Sequence, residues 1–230
     1  ARNRAQDSPE VEPSVYSALT SHINSYMNDL PAQLFNGLRL HTYHLDGDAF
    51  RGTVNGYSGG GAIDGAPDLY IPYAARPRSQ IPERYWIGAP HACGEYGHID
   101  DGLLINVKVL TWQSIFGDLW HNGVFPRLEE IDRPVMLEIG AGYGGVSHHI
   151  NSVFPNSLYF VVDLPTTLLF SAAYLTMLHG PGKVILMDDS SPSDPAAYAD
   201  GSIVMVPNFL LSKLEPFRFD HAINMDSFQE

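Results

Sequence analysis

The chain has 230 residues, 44% of them apolar and 17% charged, which suits one large domain, or a domain with an extension, that needs no covalent staples. Its 13 basic and 26 acidic residues give a formal charge of −13, and Arg39, Arg51, Arg76, Arg78 and Arg84 are scattered, which argues against nucleic acid or anionic lipid as a partner. The single cysteine, Cys93, excludes an internal disulfide, and no run approaches the roughly 18 apolar residues of a membrane span.

The first residues, Ala1 to Pro13, are polar and lack the apolar middle of a signal peptide, so a cytoplasmic protein is the expectation. Ser14 to Leu30 reads as an amphipathic helix with Ser14 as N-cap, Val15, Leu19, Ile23 and Tyr26 or Met27 on one face, and Pro31 beyond its end. Ala32 to Leu40 is a second, weaker helical stretch. Asp46 to Gly65 is glycine-rich and reads as a surface loop, with a mobile flap as the functional alternative. It opens on Asp46-Gly-Asp48, but the remaining oxygen ligands of a calcium loop do not follow. Pro67 to Pro90 carries five prolines and is expected to be extended, held to a core by Tyr70, Ile71, Tyr73, Tyr85, Trp86 and Ile87. His91, Cys93, Glu95 and His98 match no zinc spacing, so no metal site is read there and the stretch is taken as a loop leading into a helix. Asp101 is expected to cap a long helix from Gly102 to about Trp120. Leu104, Val107, Thr111, Ile115 and Leu119 would form its buried stripe, with Trp112, Phe116 and Trp120 as an apolar flank packed in the core. Phe125 to Arg133 then links this N-terminal cover, residues 1–130, to a nucleotide-binding region, residues 131–230.

The most informative stretch runs from Val135 to Pro165. An apolar run enters the turn Glu138-Ile-Gly140-Ala-Gly142-Tyr-Gly144-Gly145, and helical spacing of Val146, Ile150 and Val153 follows until Pro155. A second strand, Leu158 to Val162, delivers Asp163. Strand, glycine turn, helix, strand and acid make a βαβ unit of the nucleotide-binding kind. Glycines let the backbone approach a ligand without Cβ atoms in the way, and the helix start offers free N–H groups. Asp163, about 20 residues on, can accept hydrogen bonds from ribose hydroxyls. Gly140-x-Gly142-x-x-Gly145 also satisfies the dinucleotide pattern, so a nicotinamide enzyme is weighed. Against it stand Glu138, an anion that suits a cationic amino-acid head better than a diphosphate, the Leu164-Pro165 pair after Asp163, and a further strand, Phe219 to Met225, ending in polar residues.

Thr166 to His179 reads as a helix with Leu169, Ala172, Ala173 and Thr176 inward, ended by Gly180-Pro181-Gly182. Two strand candidates follow, Val184 to Met187 and Ile203 to Val206. The second is favoured as the third strand, with Phe209 to Leu214 as a short helix and Asn208 where an adenine-contacting residue belongs. In the other choice Asp188 or Asp189 takes that role. The last strand leads into Asn224-Met-Asp226-Ser-Phe-Gln-Glu230, beyond the carboxyl end where ligands of open α/β sheets bind.

LEIGAGYGG from Leu137, VDLPTTLLF from Val162, VPNF from Val206 and AINMDSFQE from Ala222, in this order, resemble the family of putative sugar O-methyltransferases. The likeness covers the C-terminal part of the chain and, more loosely, Gly94 to Phe125. It implies a Rossmann-like class I methyltransferase sheet and S-adenosylmethionine as cofactor, held by Glu138, Gly140, Gly142, Gly144, Asp163 and Asn208. It also implies methyl transfer to a carbohydrate hydroxyl in polysaccharide or glycoside biosynthesis. A domain of this family carries further strands after the last one read here, so the expectation is an incomplete sheet whose open edge favours self-association and whose cofactor affinity is low. Another small hydroxyl or amine acceptor, or a non-catalytic nucleotide-binding fold, are the alternatives.

A sugar hydroxyl is a weak acid, so a general base or a divalent cation is valuable, although no metal-ligand set is read from the sequence. Asp226 and Glu230 share one face if a helix starts there, and are the first candidates for the base; the competing reading is a helix cap and a solvated first-turn acid. His148 is a weaker candidate, and His149 is read as structural.

Overall fold

The computed structural model describes residues 81–90, 98–105 and 107–225. The helices expected at Ser14–Leu30 and Ala32–Leu40, the glycine-rich stretch, most of the proline-rich stretch, the residues His91 to Glu95, and Asp226 and Glu230 lie outside the described residues.

Asp101 and Gly102 are not a helix start. They form the turn of a hairpin between β1 (His98–Asp100) and β2 (Leu103–Ile105), in which Asp100 pairs with Leu103. Both turn residues have positive φ, 52° and 80°, the type I′ geometry whose twist matches paired strands and for which Asp-Gly is a preferred sequence. Ala89 adds a bridge to Leu104 on the other side of β2.

Helix α1 therefore begins later, at Val107, and ends at His121. Its buried side is Val109, Trp112, Gln113 and Phe116, while Thr111 is exposed and Ile115, Leu119 and Trp120 are half-buried. The expected stripe is thus rotated: the aromatic flank is the core-facing side. Gln113, with no exposed surface, is accommodated because its Nε2 donates to the Ile87 carbonyl at 3.0 Å. The expected link holds a short helix, α2 (Val124–Glu129), which buries Phe125 and Leu128. Arg84 donates to both oxygens of Glu129, at 2.7 and 2.8 Å, and the Tyr85 ring packs against Phe125 at a tilt, centroids 5.0 Å apart, so segment 81–90 is tied to α2.

The centre of the fold is a five-stranded parallel sheet in the order β5-β6-β4-β3-β7. Its members are β3 (Val135–Ile139), β4 (Leu158–Asp163), β5 (Val184–Leu186), β6 (Ile203–Pro207) and β7 (His221–Asn224). Near-continuous apolar runs such as Leu158 to Val162 and Ile203 to Val206 are what a sheet covered on both faces demands. Helix α3 (Gly145–Val153) connects β3 to β4, and α4 (Pro165–His179) leads from β4 to the edge strand β5. Ile203–Pro207, the favoured third strand, pairs directly with β4, and the other candidate, Val184–Leu186, which precedes it in the chain, is also a strand of the same sheet, beyond β6. This is an α/β fold of Rossmann-like type.

One face of the sheet, with Met136, Tyr159, Val161, Ile203 and Met205, packs under α1, α3 and α4. Segment 81–90 and α2 join that same core through Tyr85, Trp86, Phe125 and Leu128, so the described part of the N-terminal region has no core of its own. Helix α4 is buried at Leu168 and at every residue from Phe170 to Thr176, with Leu168 rather than Leu169 fully enclosed. Each such large apolar side chain contributes about 1.5–3 kcal/mol. The opposite face, with Leu158, Phe160, Val162, Val204 and Val206, lies under Tyr198, Leu210, Leu214 and Phe217. No helix among the described residues is long and apolar enough to cross a membrane.

Candidate functional site

The glycine turn leaves β3 at the carboxyl rim of the sheet. Gly140, Gly142 and Gly144 have φ of 77°, 57° and 97°, a left-handed conformation that strains other residues. The Gly140 N–H donates to the Val162 carbonyl at 2.8 Å and the Gly144 N–H to the Ala141 carbonyl at 3.0 Å, which holds the turn against the end of β4. Helix α3 starts at Gly145 with no side-chain cap, so no side chain competes for the N–H groups of its first turn.

Asp163 joins this turn directly. One carboxylate oxygen accepts from the Gly142 N–H at 3.1 Å and the other from the Leu164 N–H at 2.7 Å. A carboxylate offers about four acceptor positions, so both backbone bonds leave capacity for hydroxyl donors. Among the described residues, a Cβ built on Gly142 meets nothing within 4 Å, so no described side chain covers the backbone of the turn at that point.

Pro207 pairs with Asp163 across β6 and β4, and Asn208, exposed, follows at once. The structure thus brings Gly140, Gly142, Gly144, Asp163 and Asn208 to one rim. Two apolar residues that the sequence reading did not single out stand beside them, Leu164 and Phe209, 37% and 36% exposed. On the other side of β3, Asn224 donates to the Ile139 carbonyl at 3.0 Å and fixes the end of β7 beside the turn. Asp188, the alternative to Asn208, spends its carboxylate on Ser190 and Ser191 in the loop after β5, and these bonds hold it below the usual carboxylate range.

Glu138 is placed differently from the expectation. The strand runs on to Ile139, so its alternation puts Glu138 beside Met136 on the helix-covered face, 1% exposed. Its carboxyl accepts from the Ser147 hydroxyl and from the Tyr159 hydroxyl, the latter at 3.0 Å. Burial pushes its pKa up to about 7, against the opposing effect of the two hydroxyls. Glu138 therefore braces the first turn of α3 against β4 rather than facing the rim.

His148 is not brought to the rim. Its Nδ1 lies 3.1 Å from Nε2 of His179, and its ring contacts Tyr174. Helix α4 starts just after Asp163 and ends at His179, so the pair lies roughly 20 Å of helix away from that acid. Burial lowers His148 to about 2 and His179 to about 4. His149 is fully enclosed against Trp112, with Nδ1 on the Gly145 carbonyl at 2.9 Å, the structural role read from the sequence. Among the described residues no group of three or more His, Cys, Asp or Glu is arranged to hold a metal ion.

A glycine turn, an uncapped helix start and an acid on the neighbouring strand thus meet at the carboxyl rim of a parallel α/β sheet. Comparison of the chain with protein-family models, with curated proteins and with solved structures gives no match.

Proposed function

We propose that the chain is an S-adenosylmethionine-dependent methyltransferase acting on a sugar hydroxyl. The observation that carries the nucleotide half of this reading is the bond from the Gly142 N–H to Asp163, which joins the glycine turn to the acid that ends β4. The methyl donor and the sugar rest on the sequence resemblance. The charge of −13 supports an acceptor other than nucleic acid.

When bound, S-adenosylmethionine supplies a methyl on a sulfonium sulfur, which an acceptor oxygen takes by in-line displacement. In this reading Asp163 accepts the ribose hydroxyls, Gly140 and Gly142 allow close approach of the backbone, and Asn208 with Leu164 and Phe209 borders the adenine. Asp226 or Glu230 takes the proton from the acceptor hydroxyl.

A nicotinamide dinucleotide is the second reading, and one observation favours it: the inward turn of Glu138 removes an anion from the rim, where it would oppose a diphosphate. Calorimetric titration with S-adenosylhomocysteine and, in parallel, NAD separates the two. Micromolar binding of S-adenosylhomocysteine that Asp163→Ala weakens by about tenfold or more supports the methyltransferase and leads to nucleotide sugars and glycans as acceptors. Binding of NAD alone overturns it; binding of neither leaves the α/β fold standing without support for either cofactor.

A further inference from the structure

Three of the glycines in the turn are explained by backbone conformation, but Gly145 is not, because its φ is not positive. Its constraint is space. A Cβ at position 145 would lie 2.3 and 2.4 Å from the Cη2 and Cζ2 carbons of Trp112 and 2.7 Å from the hydroxyl of Tyr143. Real Cβ atoms do not approach other atoms so closely, so a side chain there requires the indole to move.

The indole has little room to do so. Trp112 is 6% exposed, with its ring centroid 4.6 Å from that of His149 and 6.0 Å from that of Tyr143. Tyr143, the aromatic residue of the turn, packs in turn edge-on against Tyr174 of α4, at 5.2 Å. On the α4 side, a Cβ on Gly144 would already meet Leu175 and Ser171 at 3.2 to 3.3 Å. The turn is therefore seated between α1 and α4, with a bare backbone against each.

We infer that Trp112, which lies outside the βαβ unit, is a positioning residue for the ligand-binding turn: its ring fills the space denied to a side chain at 145 and so sets how the turn and the first N–H groups of α3 face a ligand. As a statement about ligand affinity this rests on the nucleotide reading of the turn. The consequence is that α1 belongs to the binding machinery although it contributes no group to the rim.

The test is a size exchange on the full chain, with Gly145→Ala, Trp112→Leu and the double variant compared by titration with S-adenosylhomocysteine. Gly145→Ala is expected to lower affinity about tenfold or more, and shortening Trp112 in the same chain is expected to recover most of that loss. Losses that simply multiply in the double variant overturn the inference. If Trp112→Leu does not fold, Trp112→Phe, which also lacks the two clashing carbons, takes its place. Amide hydrogen exchange in the free protein separates this inference from the identity of the ligand. Gly145→Ala should speed exchange at residues 140–146 while leaving β4 protected, and the double variant should reverse it, whether or not S-adenosylhomocysteine binds. Unchanged exchange at residues 140–146 in Gly145→Ala overturns the positioning role.

Discussion

Asp163 accepts a hydrogen bond from the backbone N–H of Gly142 at 3.1 Å, so the acid ending β4 and the turn leaving β3 form one unit. The same carboxylate holds the Leu164 N–H at 2.7 Å, where α4 begins. Two backbone donors thus orient the group before any ligand arrives. Charge-assisted bonds of this kind contribute about 1.5–3 kcal/mol each. Asp163→Ala leaves both donors without their acceptor and removes the proposed ribose partner, so S-adenosylhomocysteine affinity should fall by about tenfold to a hundredfold. Asp163→Asn keeps one carbonyl acceptor and should fall between the two. Equal affinity for wild type and Asp163→Ala would mean that the ligand does not use this acid.

Glu138 gives the stability of the fold a definite pH dependence. Burial raises its pKa in the folded state from the ordinary 4.5 to about 7, so the folded protein binds this proton more tightly than the unfolded chain. The contribution is fully present below the unfolded value and is lost as pH rises through about 7. Glu138→Gln removes the charge while its amide oxygen can still accept from Ser147 and Tyr159. Denaturant titrations should show the variant more stable than wild type at pH 8, by an amount on the order of 1–3 kcal/mol, and not at pH 4. A variant less stable at pH 8 would mean that the ionised carboxylate is the form the fold requires.

The βαβ unit was legible because its periodicity changes in the sequence itself, from an apolar run to glycines, to the helical spacing of Val146 and Ile150, to a second apolar run before Asp163. The face of Glu138 was legible in principle. Counting it as strand, two residues after Met136, places it on the buried side, whereas assigning it to the turn hides that alternation. The face of α1 was not legible, since Gln113 can be buried only because Ile87, 26 residues earlier, accepts its hydrogen bond. Val184–Leu186 gave a strand signal but no neighbour, because strand order is set by crossovers that local pattern does not encode. His148 sat one turn into the right helix, yet whether it meets the rim or His179 depends on how α3 lies against α4.

One buried and two half-buried histidines should make the fold sensitive to acid. His148, His149 and His179 are lowered to about 2, 4 and 4, in each case mainly by burial, so all three are neutral in the folded protein. The unfolded chain takes up protons on them near the ordinary value of about 6.5. A depressed histidine pKa therefore gives stability that is complete above about 6.5 and lost as pH falls below it, opposite in direction to Glu138. Replacing His179 with Gln, which keeps a hydrogen-bonding group beside His148, should flatten the decline in denaturation midpoint between pH 6.5 and 4. An unaltered decline would assign the acid sensitivity to other groups.

The hairpin offers the test of an element that the sequence reading assigned to the wrong class. Asp is favoured both as a helix N-cap and in a type I′ turn, and the apolar residues Leu103 to Ile105 continue into the apolar spacing of α1, so Asp101 served either reading. The two predict opposite effects of Gly102→Ala. At a helix start, Ala would be neutral or stabilising. In the turn, φ is +80° and, among the described residues, a Cβ at 102 meets nothing within 4 Å, so the expected effect is backbone strain, about 1 kcal/mol of destabilisation. Asp101→Asn, which keeps a preferred residue at φ 52°, should leave stability nearly unchanged. Urea titration of the two variants against wild type decides between them, and a stabilising Gly102→Ala would return residues 101 and 102 to a helix.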